Sequence, residues 1–138
     1  MYIIDTNVLS ELMKPVPNDN VVQWISSKPI SSLFVTAITE AEILFGLALL
    51  PESRRKRLLT NSASEMFAQD FNSRILPFDS EAAVAYAKIV SERTSSGQPI
   101  SAFDAQIAAV TLSRNATLVT RNTKDFVNCS VEVINPWK

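Results

Sequence analysis

The chain contains no histidine, and this absence removes several kinds of chemistry at once. It excludes the Ser-His-Asp and Cys-His hydrolytic constellations, in which an imidazole moves the proton. It also excludes zinc sites built on imidazole and nucleases that use histidine as acid and base. Any catalysis must therefore come from carboxylates, lysine, hydroxyl groups or a bound metal ion.

Cysteine and long apolar runs are scarce as well. The single cysteine, Cys129, cannot form an intramolecular disulfide, which agrees with a reducing compartment. No apolar run reaches the length of a membrane span. The first apolar run breaks at Asp5 and has no basic region before it, unlike a signal peptide. These features predict a cytoplasmic protein without membrane association.

The chain also lacks an excess of basic charge, since its net charge is −1. A dedicated duplex-binding protein is normally basic, so any nucleic-acid contact must use a local patch or be transient. A length of 138 residues and a hydrophobic content of 46% are typical of one globular domain. We therefore expect residues 1–138 to form a single domain.

Short apolar strands alternate with helical segments along the chain. This order predicts an α/β/α fold with a central, mainly parallel sheet and helices on both faces. The caps predicted for four of the helices are Asn20, Thr39, Asp79 and Ser101. The predicted strands are 1–4, 33–36, 75–78, 117–120 and 131–134, and the predicted helices are 6–13, 21–26, 39–49, 52–71, 80–95 and 102–113, with a short turn or helix at 123–126.

Three acidic residues follow predicted strands or open predicted helices, namely Asp5, Glu42 and Asp104. Ligands of such sheets bind in the crevice outside the carboxyl ends of the strands, so we expect these acids to converge there. Converging carboxylates raise one another's pKa unless a cation is bound, and oxygen ligands favour Mg²⁺, for which Mn²⁺ can substitute. The sequence thus predicts a metal-dependent phosphodiesterase with Asp5 and Asp104 as direct ligands and Glu42 as a direct or water-mediated one.

Further polar residues are expected around these ligands. Asp125 is a candidate to complete the acidic site, and Arg121 and Lys124 are candidates for holding a phosphate. The predicted hydrogen-bonding groups behind the ligands are Thr6, Asn7, Thr120 and Asn122.

Each acid also has an explanation that needs no metal. Asp5 can cap a helix, Glu42 can be the N3 residue of a capping box, and Asp104 can favour a helix dipole. Asp125 is typical of a turn, and Glu40 competes with Glu42 for any functional role. Together these explanations weaken, because they require acids at three successive crevice positions in a chain without histidine.

The basic run Arg54–Arg57 has two interpretations. The favoured one is a solvated helix face, and the other is a patch that contacts phosphate or a partner. The segments around 41–50 and 52–71 carry more apolar surface than a small domain needs, which suggests self-association.

Four segments, in order, resemble the PIN-domain nucleases: Asp5-Thr6-Asn7 after an apolar strand, 37–43 with Gly46, 102–108, and 120–126. Within that family the chain is similar to the VapC and FitB-type toxins of bacterial toxin–antitoxin operons, and its tail 133–137 is also FitB-like. The resemblance covers essentially the whole chain.

This resemblance implies a PIN-like domain that hydrolyses single-stranded or loop RNA with Mg²⁺ or Mn²⁺ and forms homodimers. It also implies a cognate antitoxin whose C-terminal segment reaches the active site and whose N-terminal part binds operator DNA. Carried over by position, the acidic site is Asp5, Glu42 and Asp104. A fourth acid of some members falls at Asn122, so either Asn122 supplies a neutral oxygen or Asp125 takes that role, and one or two ions can be bound.

The predicted reaction is hydrolysis of an RNA phosphodiester by metal-activated water, which leaves a 5′-phosphate and a 3′-hydroxyl. Two alternatives stay open. One is a phosphatase for small phosphate esters with Asp5 as nucleophile, although Asn7 stands where such enzymes carry a second aspartate. The other is a non-catalytic PIN-like module that acts only by binding its antitoxin or nucleic acid.

Overall fold

Five short strands pair in parallel, in the order β3-β2-β1-β4-β5, in a computed structural model that describes residues 1–138. The strands are β1 Tyr2–Ile4, β2 Leu33–Thr36, β3 Ile75–Leu76, β4 Thr117–Val119 and β5 Glu132–Ile134. The helices are α1 Thr6–Leu12, α2 Asp19–Ser26, α3 Ala37–Ala48, α4 Arg54–Glu65, α5 Ser80–Ser95 and α6 Ala102–Ser113. The predicted α/β/α architecture is confirmed.

Each face of the sheet is covered by its own apolar cluster. Because successive strand residues point to opposite faces, Ile3 and Leu118 pack on one side and Ile4 and Val119 on the other. The first cluster is completed mainly by α5 and α6, and the second by α1 to α4. None of the helices is long and apolar enough to cross a membrane.

The middle of the sheet is where the connections change direction. The chain runs outward from β1 through β2 to β3 and then returns to place β4 on the other side of β1. The carboxyl ends of β1 and β4 therefore flank the topological switch point, where open α/β sheets bind ligands. The Asp5 amide donates to the Val119 carbonyl at 2.9 Å, which fixes the residues after these two strands side by side.

Two of the four predicted caps are wrong. Helix α3 begins at Ala37, because the Thr36 hydroxyl at the end of β2 accepts from the Thr39 amide at 3.1 Å. Thr39 therefore lies inside the helix and starts no capping box. Helix α2 is capped by Asn18, whose side chain accepts from the amides of Asn20 and Val21. The caps predicted at Asp79 and Ser101 are confirmed.

The helix predicted over 52–71 is interrupted. Helix α4 covers only Arg54–Glu65 and is followed by a π-helical turn over Met66–Asp70. In that turn the Phe71 amide donates to the Met66 carbonyl, five residues earlier, at 3.0 Å. Phe67 and Phe71 are both buried against the sheet, so this turn seats two aromatic rings before the chain enters β3.

Arg93 near the end of α5 is buried and has no carboxylate partner within ion-pair distance. Its guanidinium instead donates to the carbonyls of Gln98, Pro99, Asp125 and Val127, at 2.6 to 3.2 Å. These carbonyls belong to the loop before α6 and to the loop after β4. One side chain thus joins the two segments that carry Asp104 and Asp125.

We expect Arg93→Met to lower the free energy of unfolding by about 3 kcal/mol or more. Methionine fills part of the space but leaves the carbonyls without their donors, and each unsatisfied buried group is costly. Arg114→Met is the matched control, because Arg114 is partly exposed and meets Asp79 only at 3.5 Å. Urea unfolding of both variants measures the difference, and equal losses would contradict this role of Arg93.

Candidate active site

Asp5 lies at the carboxyl end of the central strand and is 3% exposed. Its Oδ1 accepts from the Thr6 amide at 2.8 Å, so the residue caps α1 as the simpler explanation proposed. Its Oδ2 accepts from Thr120 Oγ1 at 2.7 Å and from Asn7 Nδ2 at 3.0 Å. A carboxylate has about four acceptor positions, so Oδ1 keeps a lone pair for a further ligand.

The groups around Asp5 are themselves held in place. Thr120 Oγ1 accepts from Asn7 Nδ2 at 3.0 Å and from the Asn122 amide at 3.1 Å, so its proton is directed to Asp5. Asn7 Oδ1 accepts from the Arg121 amide at 3.1 Å. The structure therefore places Asn7, Thr120 and the Asn122 backbone in the predicted network behind Asp5.

Glu42 reaches the same edge from α3. It is the sixth residue of that helix, so the N3 capping explanation is wrong, and its Oε1 accepts from Thr6 Oγ1 at 2.8 Å. The Thr6 hydroxyl lies 3.0 Å from that of Thr39, which is buried. Thr6 thus links Glu42 to Asp5, because its hydroxyl donates to Glu42 and its amide donates to Asp5, whereas Glu40 has no hydrogen bond to this network.

Asp104 is in the first turn of α6, and its amide donates to Ser101 Oγ at 3.2 Å. Burial raises the pKa of Asp104 above its ordinary value, and the neighbouring Asp125 carboxylate adds to the increase, while Ser101 and Arg93 oppose it. The charge of Asp125 thus acts on Asp104, whereas the charges that act on Asp5 are those of Asp104 and Glu42.

The acids at this edge influence one another without cationic partners. Burial raises the pKa of Asp5 from 3.8 to about 6, and the charges of Asp104 and Glu42 add to the increase despite the hydrogen bonds from Thr120 and Thr6. None of the ion pairs in the structure involves Asp5, Glu42, Asp104 or Asp125. Such a set of anions is costly unless a cation compensates it.

The acids at this edge do not form a compact cluster. No three acidic side chains are close enough together to enclose an ion by themselves. Mg²⁺ keeps several of its waters when it binds to proteins, so carboxylates spread around a partly hydrated ion suit it. The donor set, made only of oxygen, therefore fits Mg²⁺ or Mn²⁺.

The predicted phosphate contacts lie at the rim. The Arg121 guanidinium stacks on the Trp137 ring, 5.0 Å from its centroid, and this contact fixes the side chain beside the crevice. Lys124 is exposed in the 3₁₀ turn Thr123–Phe126. Phosphate binding by either residue stays a prediction.

Sequence reasoning missed Thr36, Thr39 and Arg93. Thr36 carries the signal of a hydroxyl residue directly after an apolar strand, which is typical of an N-cap. Arg93 lies four residues after the buried Ile89 on the apolar face of α5, and a charge in such a position indicates a buried hydrogen-bonding role.

We expect the metal-free protein to lose stability as the pH rises from about 4 to 6, because the folded state holds the Asp5 proton more tightly than the unfolded chain. The raised pKa corresponds to a loss of up to about 3 kcal/mol above pH 6. Urea unfolding in EDTA of the wild type and Asp5→Asn measures it. In Asp5→Asn the new amide group faces the donors around Asp5, which changes the free energy of unfolding by an amount that does not depend on pH. The readout is therefore the pH-dependent part of the difference in unfolding free energy between the two proteins. A difference that is flat, or that grows in favour of the wild type with pH, would contradict the assignment.

The fold and these motifs have known relatives. The toxin FitB of Neisseria gonorrhoeae is 39% identical over 137 residues, which cover 99% of each chain. The VapC ribonuclease Y4jK of Sinorhizobium fredii is 36% identical over 138 residues, which cover 100% of this chain and 99% of that protein. Among solved structures, FitAB bound to an IR36 DNA fragment superimposes with a TM-score of 0.94 at 39% identity, covering 100% of this chain and 96% of that one.

The resemblance inferred from four short motifs therefore extends along the whole sequence and to the backbone. The sequence profile of the PIN domain matches residues 2–129, a span that runs from β1 through the loop after β4 and includes Asp5, Glu42, Asp104 and Asp125. The chain belongs to the PIN domain family.

Proposed function

We propose that the protein is an endoribonuclease toxin that hydrolyses RNA phosphodiester bonds with Mg²⁺, for which Mn²⁺ can substitute. The observation that carries the proposal is the set of carboxylates at the sheet edge, where burial and neighbouring carboxylates raise the pKa of Asp5 and of Asp104 and none of the acids forms an ion pair. Relatives named as a toxin and a VapC ribonuclease over the full chain support the same reaction.

The chain's own residues would divide the work. Asp5 and Asp104 would hold the ion directly, Glu42 would hold it directly or through water, and Asp125 would extend the site beside Asp104. When bound, the ion would lower the pKa of a water molecule and neutralise charge on the phosphate. Thr6 and Thr120 orient their carboxylates by donating at 2.8 and 2.7 Å.

The remaining residues would contact the substrate or occupy the position of the fourth acid, which is Asn122 here. Arg121, fixed on Trp137, and Lys124 would meet phosphates at the rim. The Asn122 backbone amide donates to Thr120 Oγ1. The side chain of Asn122 has no hydrogen bond, so its side-chain oxygen, Oδ1, is free for a ligand. No side chain is arranged as a dedicated general acid, so solvent would protonate the leaving oxygen.

The phosphatase alternative fits this geometry less well. In that reaction the residue two after the nucleophile would act as the acid, and here it is Asn7. Both ends of its amide are already used, by Asp5, Thr120 and the Arg121 amide. The oriented carboxylates likewise give no support to a non-catalytic module.

We also propose two protein partners. A toxin that hydrolyses cellular RNA has to be restrained, and a basic segment of a cognate antitoxin would suit the acidic crevice. The antitoxin would carry the operator DNA, as the FitAB structure with its DNA fragment suggests.

Self-association into a homodimer is the second partnership proposed. Three exposed apolar side chains lie on α3 and at its C-cap, namely Leu44, Phe45 and Leu49. We expect a dimer of the antitoxin-free chain in sedimentation equilibrium and a shift toward monomer in Phe45→Glu. A wild type that is monomeric at micromolar concentration would contradict the proposal.

Cleavage of total cellular RNA by the purified, antitoxin-free protein tests the activity, with Mg²⁺, with Mn²⁺ and with EDTA. We expect discrete cuts with 5′-phosphate ends in either metal and none in EDTA. Asp104→Asn and Glu42→Gln should lower the rate by a factor on the order of 100 or more, because each removes an oxygen charge at the ion.

Glu40→Gln is the matched control for Glu42→Gln, since it makes the same change on the same helix outside the hydrogen-bonded network. It should cleave like the wild type. Equal losses in the two glutamine variants, or full activity in Asp104→Asn, would refute the assignment of the site.

A further inference from the structure

A groove of about 740 Å³ opens beside the acidic site, between α1, α3 and α4. Thr6 and Glu42 of the proposed site line it, and so do Arg54 and Arg55 from the first turn of α4. The sequence favoured this basic run as a solvated helix face, but two of its members line a groove that Glu42 also lines. The apolar part of the wall is formed by Met13, Pro15, Ile43, Leu47, Leu58 and Leu59.

The two arginines are the uncommitted cations of this groove. Lys56 of the same run pairs with Glu52 at 2.8 Å and donates to the Ala48 carbonyl at 3.2 Å. Lys14, on the opposite wall, pairs with Glu11 at 2.9 Å. Arg54 and Arg55 make neither ion pairs nor side-chain hydrogen bonds within the chain, so their charge is available to an anion.

Their position is also unfavourable for the helix that carries them. The first turn of α4 contains four basic residues and no acid. The N-terminal end of a helix is the positive end of its dipole, where cations are disfavoured. An anion bound in the groove would relieve both the dipole and the repulsion among these side chains.

Gly46 supplies a second feature of the groove that the protein's own packing does not require. It lies in the interior of α3 with a helical backbone, where glycine is less favourable than alanine. A Cβ atom added there would meet nothing within 4 Å. The missing side chain therefore serves no internal contact and leaves the groove wider beside Glu42.

We propose that this groove binds the single strand of RNA that flanks the bond being cut, with Arg54 and Arg55 contacting its phosphates. The inference rests on the proposed RNA hydrolysis and extends it to the substrate's path. The wall offers apolar surface to splayed bases and two guanidinium groups to the backbone, a combination that suits single-stranded nucleic acid. In a duplex the bases are stacked and paired, so the apolar wall would have no partner.

The test is binding of a fluorescein-labelled oligouridine, followed by anisotropy across a salt series. Asp104→Asn with Mg²⁺ is the starting protein, so that the probe is not cut. Adding Arg54→Gln and Arg55→Gln should raise the dissociation constant by roughly tenfold and reduce the slope of log K against log salt by about 1.4, as expected for two lost phosphate contacts.

Two further variants separate charge from shape. Arg57→Gln removes an equal charge from the same run, but Arg57 does not line the groove, so binding and slope should stay unchanged. Gly46→Leu should weaken binding by filling the groove while leaving the salt slope unchanged. If Arg57→Gln raised the dissociation constant as much as the loss of one groove arginine does, the effect would reflect general electrostatic attraction by the basic run. That result would overturn the proposal.

The outcomes also distinguish this inference from the proposed activity. If the wild type cuts RNA but the double arginine variant binds the probe normally, the groove assignment is wrong and the nuclease stands. If that variant instead loses only its antitoxin, the groove belongs to the protein partner and the inference is again wrong. If the wild type cuts no RNA while probe binding still needs Arg54 and Arg55, the activity fails and the groove is confirmed.

Discussion

A carboxylate buried at the end of the central strand is the constraint around which this molecule is arranged. Asp5 sits at the switch point of the sheet, and the surrounding groups present N–H and O–H donors to it from α1 and from the end of β4. Two of these donors, Asn7 and Thr120, accept hydrogen bonds from the backbone amides of Arg121 and Asn122. The hydrogen bonds to Asp5 are therefore coupled to the conformation of the loop after β4. Even with this network, burial keeps its pKa near 6, and the metal-free fold therefore carries a cost at neutral pH. The proposed cation would remove this cost when it binds.

The helices around the crevice offset part of the free-energy cost of these carboxylates. Helices α1 and α3 follow β1 and β2 directly, with Asp5 and Thr36 as their caps, and α6 holds Asp104 in its first turn. The partial positive charge at the start of a helix favours nearby anions, so this arrangement lowers the repulsion among the carboxylates without neutralising it. Arg93 joins the segments behind Asp104 and Asp125 through backbone carbonyls, and its charge also opposes the rise of the Asp104 pKa. One buried guanidinium thus positions this part of the backbone and moderates the charge beside it.

For contact with RNA, the positions of the charged residues matter more than the net charge of the chain. A net charge of −1 disfavours RNA binding only when it is averaged over the whole surface. In the structure the acids gather at the sheet edge, where a metal ion would mediate between them and a phosphate. Uncommitted cations stand beside them, on α4 in the groove and at Arg121 on the rim. A weakly acidic protein can therefore offer a basic path to a polyanion over a short distance, where Coulomb attraction is little screened.

The sequence by itself predicted the layers of the fold, which the structure confirms, and it named the candidate acids of the proposed site. Alternation of apolar strands and helices predicts a parallel sheet, and a crevice at the strand ends follows from that topology, so Asp5, Glu42 and Asp104 could be named in advance. The absence of histidine likewise excluded hydrolytic mechanisms and metal sites that depend on an imidazole. Tertiary structure decided which hydroxyl caps α3, because Thr36 and Thr39 both carry a side chain that can cap a helix and only the observed start of α3 distinguishes them. It also separated Glu42 from Glu40, which lie about 200° apart around a helix whose orientation is set by packing. The sequence offered a phosphate-contacting patch at Arg54–Arg57 only as its second interpretation, since the groove that Arg54 and Arg55 line exists only once three helices have packed.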